Sequence, residues 1–181
     1  MYALAIHGGA GTLPRQEMSA AMEQEYRAAM GAALNAGRSI LERGGSGLDA
    51  VSAAVIALED CPLFNAGRGA VFTHDGRNEL DAAIMDGATL AAGAVCGLTR
   101  IANPVSLARR VMEASEFLML SGAGAEEFAR TQGIGFVDAE YFHTEARWKQ
   151  LQRLLSGDDS LSVPWRWMPM ATWPLPPPRE A

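Results

Sequence analysis

The order of two hydrophobic periodicities along the chain places the strongest limit on its fold. Apolar and small residues recur at helical spacing over residues 18–43 and again between residue 46 and Pro62. Residues 80–85 and 90–98 are short apolar runs separated by a turn, the pattern of β-strands. Strict alternation of strand and helix would favour a doubly wound parallel sheet, but here the helices precede a meander of strands. The sequence therefore predicts a layered α+β fold.

Local capping signals predict where two helices begin. Ser46 stands three residues before Asp49, which is a variant of the capping box that opens a helix. Asn103 and Pro104 are predicted as the N-cap and first residue of another helix, which runs to about residue 114. These two signals bracket the predicted strands in the sequence.

The N-terminus combines a short apolar run with a glycine-rich turn. Residues 2–6 are predicted to form a buried strand that ends in the pentapeptide HGGAG, with His7, Gly8, Gly9 and Gly11. The amides of such a turn could face an anion as one wall of a small-molecule pocket. On the pentapeptide alone, a tight turn that needs glycine dihedral angles is the favoured interpretation.

The segment CPLFNAGRG at residues 61–69 follows neither periodicity and is predicted to be an ordered loop. Asn65 is a neutral donor and acceptor in this apolar loop, so it is suited to orient a carbonyl group or a nucleophile. An asparagine that merely caps the turn is the more frequent case. Both roles remain open at this point.

Charge and cysteine usage limit the partners of the chain. The formal net charge is -6, and no basic cluster is longer than Arg109 and Arg110, so nucleic acid is not an expected partner. Cys61 and Cys96 form no CxxC pattern, which argues against a disulfide scaffold and fits a cytoplasmic protein. No apolar run is long enough for a membrane span, so no membrane partner is expected.

Other titratable groups suggest no separate site. The three histidines are dispersed, without the spacing of a zinc site. Asp81 and Asp86 could resemble an acid/base pair, but they would project to opposite faces of extended structure, with Asp86 in a turn. Residues 122–124 lack the third glycine of a dinucleotide-binding loop.

The composition changes abruptly after about residue 148. Three of the four tryptophans and six of the nine prolines lie beyond residue 163. We therefore divide the chain into residues 1–152, a globular portion, and residues 153–181, an aberrant Pro/Trp-rich tail that is expected to be disordered.

Seven segments taken together carry a resemblance to a known family. The chain resembles plant-type asparaginases and isoaspartyl peptidases over about residues 2–152, and the combined pattern is specific although each piece alone is not. The segments are HGGAG (7–11), SGLDAV (46–51), CPLFNAGRGAVFT (61–73), ELDAAIMDG (79–87), LAAGAVCGLTRIANPVSLAR (90–109), VMEAS (111–115) and GAGAEEFA (122–129).

The resemblance implies a fold and a reaction. Members of this family are N-terminal nucleophile hydrolases with an αββα sandwich, made as precursors that cleave themselves to free a threonine at the start of a beta subunit. That threonine attacks L-asparagine or β-aspartyl dipeptides without a catalytic cofactor. The present chain would then be the alpha subunit, which is the first half of the sandwich, and two αβ units would pair.

The resemblance also assigns roles to particular residues. It places Asn65 beside the nucleophile and makes the turn with His7, Gly8, Gly9 and Gly11 a wall of the substrate pocket. It further implies a structural sodium ion held by main-chain carbonyl groups. These carbonyls belong to Leu58, Glu59, Cys61, Phe64, Ala66 and Arg68.

The tail departs from the family pattern. The nucleophile threonine of the family begins a TVGAVA-like segment, and Thr172, the last threonine of this chain, lies in the unrelated context MATWP. We therefore assign no catalytic residue and expect the chain alone to be inactive.

Back-translation offers an explanation for the tail. When each codon is shifted by one base, Trp167 with Met168 gives Asp, Met168 with Pro169 gives Ala, and Met170 with Ala171 gives Gly, without any choice of codon. With common codons elsewhere, residues 160–181 become TVGAVALDADGHLAAATSTGG. The hypothesis is a one-base slip before Ser160. A non-catalytic truncated or pseudogene product and a glycosylasparaginase relative remain alternatives.

Overall fold

From residue 18 to residue 131 the predicted order of helices and strands is present in the computed structural model, which describes residues 2–9 and 18–157. Gly11 and the tail beyond residue 157, including Thr172 and the shifted-frame segment, lie outside the described residues. Two single 3-10 turns, Gly67–Gly69 and Ala139–Phe142, interrupt the loops. The other elements are α1 (Ala20–Glu42), α2 (Gly47–Glu59), β1 (Leu80–Met85), β2 (Ala92–Leu98), α3 (Pro104–Ala114), β3 (Met119–Ser121), α4 (Gly122–Thr131) and α5 (Glu145–Leu155).

Helices α1 and α2 pack closely because small residues lie between them. A Cβ atom added to Gly37 would lie 2.7 Å from the Ala50 carbonyl oxygen, so the two backbones leave no room for a side chain there. The start of α2 confirms the predicted capping box. The Asp49 amide donates to Ser46 Oγ at 3.0 Å, and that hydroxyl donates to Asp49 Oδ2 at 2.7 Å.

The three strands form one sheet in the order β1-β2-β3. β1 and β2 are antiparallel, whereas β2 and β3 are parallel. A bulge interrupts the β1-β2 ladder after Leu80, where Gly97 has a φ of 64° and its amide donates to Asp81 Oδ1 at 2.8 Å. Asp86 accepts hydrogen bonds from Ala88 and Thr89 in the next turn. The two carboxylates thus serve separate structural roles, as the sequence indicated.

One face of the sheet carries the core. Alternate strand residues such as Leu80, Ile84 and Val95 are buried, and α3 covers them with a fully apolar inner face. Gly93 lies directly beneath α3, since a Cβ atom there would be 2.5 Å from the Met112 amide nitrogen. The predicted α+β class is therefore confirmed. Within the described residues, no helix combines the length and apolar character that crossing a bilayer requires.

The predicted N-terminal strand is wrong, whereas the predicted N-cap of α3 is confirmed in position but not in its side-chain hydrogen bond. Residues 2–9 join no strand of the described sheet, although Leu4 and Ile6 are less exposed than their neighbours. Asn103 occupies the N-cap position of α3 without capping it, because its side chain donates to Asp60 Oδ1 at 2.9 Å. The Val105 amide in the first turn instead donates to Glu59 Oε1 at 3.0 Å. A glutamate from α2 therefore caps α3.

Candidate active site

The loop after α2 is wound so tightly that two of its residues must be glycine. Gly67 has a φ of 47°, and a Cβ atom on it would clash with the Glu59 carbonyl oxygen. A Cβ atom on Gly69 would lie 2.6 Å from the Pro62 carbonyl oxygen and would also clash with that of Phe64. Several carbonyl oxygens therefore point toward the interior of one turn.

Asn65 is held by its own loop and remains exposed. The Val71 amide donates to Asn65 Oδ1 at 2.9 Å, which fixes the orientation of the side-chain amide. Asn65 Nδ2 has no hydrogen-bond partner among residues 2–9 and 18–157. The geometry therefore leaves an oriented N–H donor available to a ligand, which is what the stabilisation of a carbonyl oxygen requires.

The glycine turn of the N-terminus lies against the same loop. A Cβ atom on Gly8 would be 2.9 Å from the Phe64 ring and 2.8 Å from Met30 Sδ, so the backbone passes directly over Phe64. Gly9 has a φ of 102° and donates its amide to His7 Nδ1 at 3.1 Å. Gly8 and Asn65 are 57 positions apart in the sequence. The fold thus brings the turn against the residue next to Asn65.

The carbonyl groups named for sodium lie along this turn. The carbonyls of Leu58, Cys61 and Ala66 each accept a backbone amide, and carbonyl oxygens retain a second lone pair. Those of Glu59 and Phe64 lie against Gly67 and Gly69, where a Cβ atom would clash with them. Carbonyl oxygens are suitable ligands for a hard cation, so the residues present fit a sodium ion.

Glu59 is a buried carboxylate whose side chain the sequence interpretation missed. It is 3% exposed, and its Oε2 has no partner among the described residues. Burial raises the pKa of Glu59 to about 7, although the Val105 amide works in the opposite direction. The signal that could have revealed it is an acidic residue at the end of an otherwise apolar helix, AVIALE.

Two side chains from distant positions of the chain donate hydrogen bonds to carbonyls of the loop. Tyr26 of α1 donates its hydroxyl to the Leu63 carbonyl at 3.2 Å, and its ring packs edge-on against Phe64. Arg147 of α5 donates from Nε to the Gly69 carbonyl at 2.8 Å. The sequence interpretation identified neither residue, because each contact joins positions far apart in the chain.

Comparison with known proteins identifies the relationship. The model of the Asparaginase family matches residues 1–165. The isoaspartyl peptidase of Escherichia coli is 52% identical over 148 residues, which are 82% of this chain and 46% of that protein. A plant-type L-asparaginase of Pyrococcus furiosus is 44% identical over 155 residues, which are 86% of this chain and 49% of that protein.

These relatives agree with the resemblance inferred from the motifs. The chain spans about half the length of the curated relatives that it matches. Its helices on a small sheet are consistent with part of an N-terminal nucleophile hydrolase fold. The predicted family is therefore confirmed, and this chain belongs to the Asparaginase family that includes isoaspartyl peptidases and plant-type L-asparaginases.

Proposed function

We propose that the described residues are the alpha portion of a hydrolase that acts on β-aspartyl dipeptides and L-asparagine. The observation that supports the proposal is the close approach of Gly8 to the ring of Phe64, the residue that precedes Asn65 in the loop. The relatives named isoaspartyl peptidase and plant-type L-asparaginase support this choice of substrate class. Both substrates contain a carbonyl that is bonded to nitrogen on an aspartyl side chain.

The proposed reaction is acyl transfer to a threonine of a second segment. The threonine hydroxyl adds to the side-chain carbonyl carbon while its own amino group takes the proton, and the C–N bond then breaks to release ammonia or an amino acid. Water hydrolyses the resulting ester. Asn65 contributes an oriented Nδ2 donor near the reacting oxygen atoms, because Val71 fixes its Oδ1.

The nucleophile is proposed to come from the shifted reading frame. With the codon choices used above, the last base of Ser160 and the first two bases of Leu161 would form the threonine codon of TVGAVA, so the beta subunit would begin a few residues beyond α5. The 181-residue chain by itself would then be an inactive alpha subunit with an unrelated tail after residue 152. The complete enzyme is proposed to be a cytoplasmic pair of αβ units.

A structural sodium ion is part of the proposal. It would be held by main-chain carbonyls of the loop after α2 and would supply positive charge that keeps those carbonyls together. The carbonyls facing Gly67 and Gly69 and the unpartnered Oε2 of Glu59 support this site. The ion has no proposed role in bond breaking.

Sequencing of the gene and assay of the restored protein test the function. The DNA is read through and beyond codon 160, and the one-base-corrected product is assayed for ammonia release from L-asparagine and for cleavage of a β-aspartyl dipeptide. Asn65→Ala should lower kcat of the corrected enzyme about 100-fold or more. Asn35→Ala, on the exposed face of α1, is the matched control and should leave kcat unchanged.

The outcome decides between the enzyme and its alternatives. A downstream frame that continues into a threonine-led subunit, together with activity, would support the hydrolase. A glycosylated asparagine as the preferred substrate would instead favour the glycosylasparaginase alternative. An uninterrupted gene that matches the present tail would favour a non-catalytic product.

A further inference from the structure

A cationic side chain, Arg147, donates to a carbonyl at the exit of the loop that presents Asn65. Arg147 Nε donates to the Gly69 carbonyl at 2.8 Å, across 78 positions of sequence. Arg147 Nη1 donates to Gln150 Oε1 at 3.1 Å, so the guanidinium is also oriented from within α5. The side chain is half-buried, and hydrogen bonds from a charged donor are stronger than neutral ones.

The position of α5 is itself well defined. Thr144 caps the helix by accepting the Arg147 amide, and the Trp148 ring packs edge-on against Phe72 with 5.3 Å between ring centroids. Gly76 also lies beneath the Trp148 ring. Arg147 therefore reaches the loop from a helix that is anchored on the chain just beyond Val71.

A short series of backbone contacts joins the Gly69 carbonyl to Asn65. The Gly69 amide donates to the Ala66 carbonyl at 3.0 Å, and two residues later the Val71 amide donates to Asn65 Oδ1. Gly69 is buried, and its Cα cannot move toward Pro62 or Phe64 because their carbonyl oxygens already lie against it. Asn78 Nδ2 donates to the Ala70 and Val71 carbonyls at 3.0 and 3.2 Å, so these two residues have a second anchor. Displacement of the Gly69 carbonyl would act on the Val71 amide, and through it on Asn65 Oδ1, against that anchor.

We propose that Arg147 is a positioning residue for Asn65, which acts by holding the Gly69 carbonyl so that the Val71 amide keeps Asn65 Oδ1 engaged. Its consequence for catalysis rests on the proposed function, but its effect on the loop does not. Lysine at position 147 would still offer one charged donor, whereas methionine would offer a long apolar side chain without a donor.

Amide hydrogen exchange on the full 181-residue chain tests the effect on the loop. Arg147→Met should raise exchange at residues 69–71 about tenfold or more, because a hydrogen bond to a charged group is lost. Arg147→Lys should stay within about threefold of the wild type, since one charged donor remains. Arg153→Met removes an exposed arginine from the same helix and should have no effect at residues 69–71.

The distribution of exchange rates separates positioning from general stability. The proposal requires that the β2 amides exchange in Arg147→Met at nearly the wild-type rate. Equal acceleration in β2 and the loop, unchanged rates at residues 69–71, or a lysine variant as fast as the methionine variant would each overturn it.

Kinetics of the frame-restored enzyme test the consequence for catalysis. Arg147→Met should lower kcat about tenfold with little change in KM, and Arg147→Lys should recover most of the rate. A normal kcat in Arg147→Met would overturn the link to Asn65. If the wild-type restored protein were inactive, the proposed function would fail, while the exchange experiment would still decide the role of Arg147 in the loop.

Discussion

Replacement of Glu59 by glutamine should change how stability depends on pH. Burial raises the pKa of Glu59 from its ordinary value of 4.5 to about 7 in the folded chain. Because the folded pKa lies above the unfolded one, the contribution to stability is complete below pH 4.5 and is lost as pH rises through about 7. Each unit of pKa difference corresponds to about 1.4 kcal/mol, so the free energy of unfolding falls by about 3 kcal/mol.

Glu59→Gln preserves the acceptor and removes the charge. The glutamine Oε1 can still accept the Val105 amide, so the cap on α3 remains. The new amide group brings donors that the buried site does not satisfy, at a cost of about 1–3 kcal/mol that does not depend on pH. The free energy of unfolding of the variant, relative to that of the wild type, should therefore rise by about 3 kcal/mol between pH 4.5 and pH 8. The pH-independent offset does not affect this change.

Urea unfolding followed by tryptophan fluorescence measures the effect. Both proteins are unfolded at intervals from pH 4.5 to pH 8 in choline chloride, so that sodium does not favour the ionised carboxylate. Glu25→Gln, on the exposed surface of α1, is the control and should follow the wild-type profile. A difference between Glu59→Gln and wild type that stays constant across this range would refute the reasoning.

Three further predictions concern the loop and the backbone. In a melting experiment, the unfolding midpoint in sodium chloride should be higher than in choline chloride at equal ionic strength. Gly67→Ala should abolish this difference, because the Cβ of the alanine would meet the Glu59 carbonyl. Gly37→Ala should destabilise the chain by about 1–3 kcal/mol in urea unfolding through overpacking on Ala50, whereas Gly31→Ala, in open space on the same helix, should not. Leu90 has a φ of 62°, so Leu90→Gly should stabilise the chain by up to about 1 kcal/mol in the same assay; a loss of stability would contradict this assignment of strain.

Local signals predicted much of the secondary structure. The capping box at Ser46 and Asp49, the short strands and the proline at the start of α3 all depend on residues within four positions of one another. Such patterns are visible in a sequence because the interacting groups are neighbours. The same rules placed Asn103 correctly at the N-cap of α3, but they did not indicate that a more distant carboxylate, Glu59, accepts the Val105 amide.

These local rules could not predict contacts between residues that are far apart in the sequence. Tyr26 reaches Leu63 over 37 positions and Arg147 reaches Gly69 over 78, so no periodicity or motif links the partners. The family resemblance pointed to Asn65 and the glycine turn, but it did not indicate what orients them. Asn65 is oriented by the Val71 amide of its own loop, and side chains of α1 and α5 contact other carbonyls of that loop.

The bulge between β1 and β2 has a consequence for insertions and deletions. Cys96 and Gly97 together oppose the single residue Asp81, whose carboxylate holds the Gly97 amide. A slip of one residue would turn Leu80 and Ile84 outward and carry Asp81 toward the core. Only one alignment therefore satisfies both the apolar face and the carboxylate. Loss or gain of a single residue in β2 should be tolerated far less well than a change of side chain on its outer face.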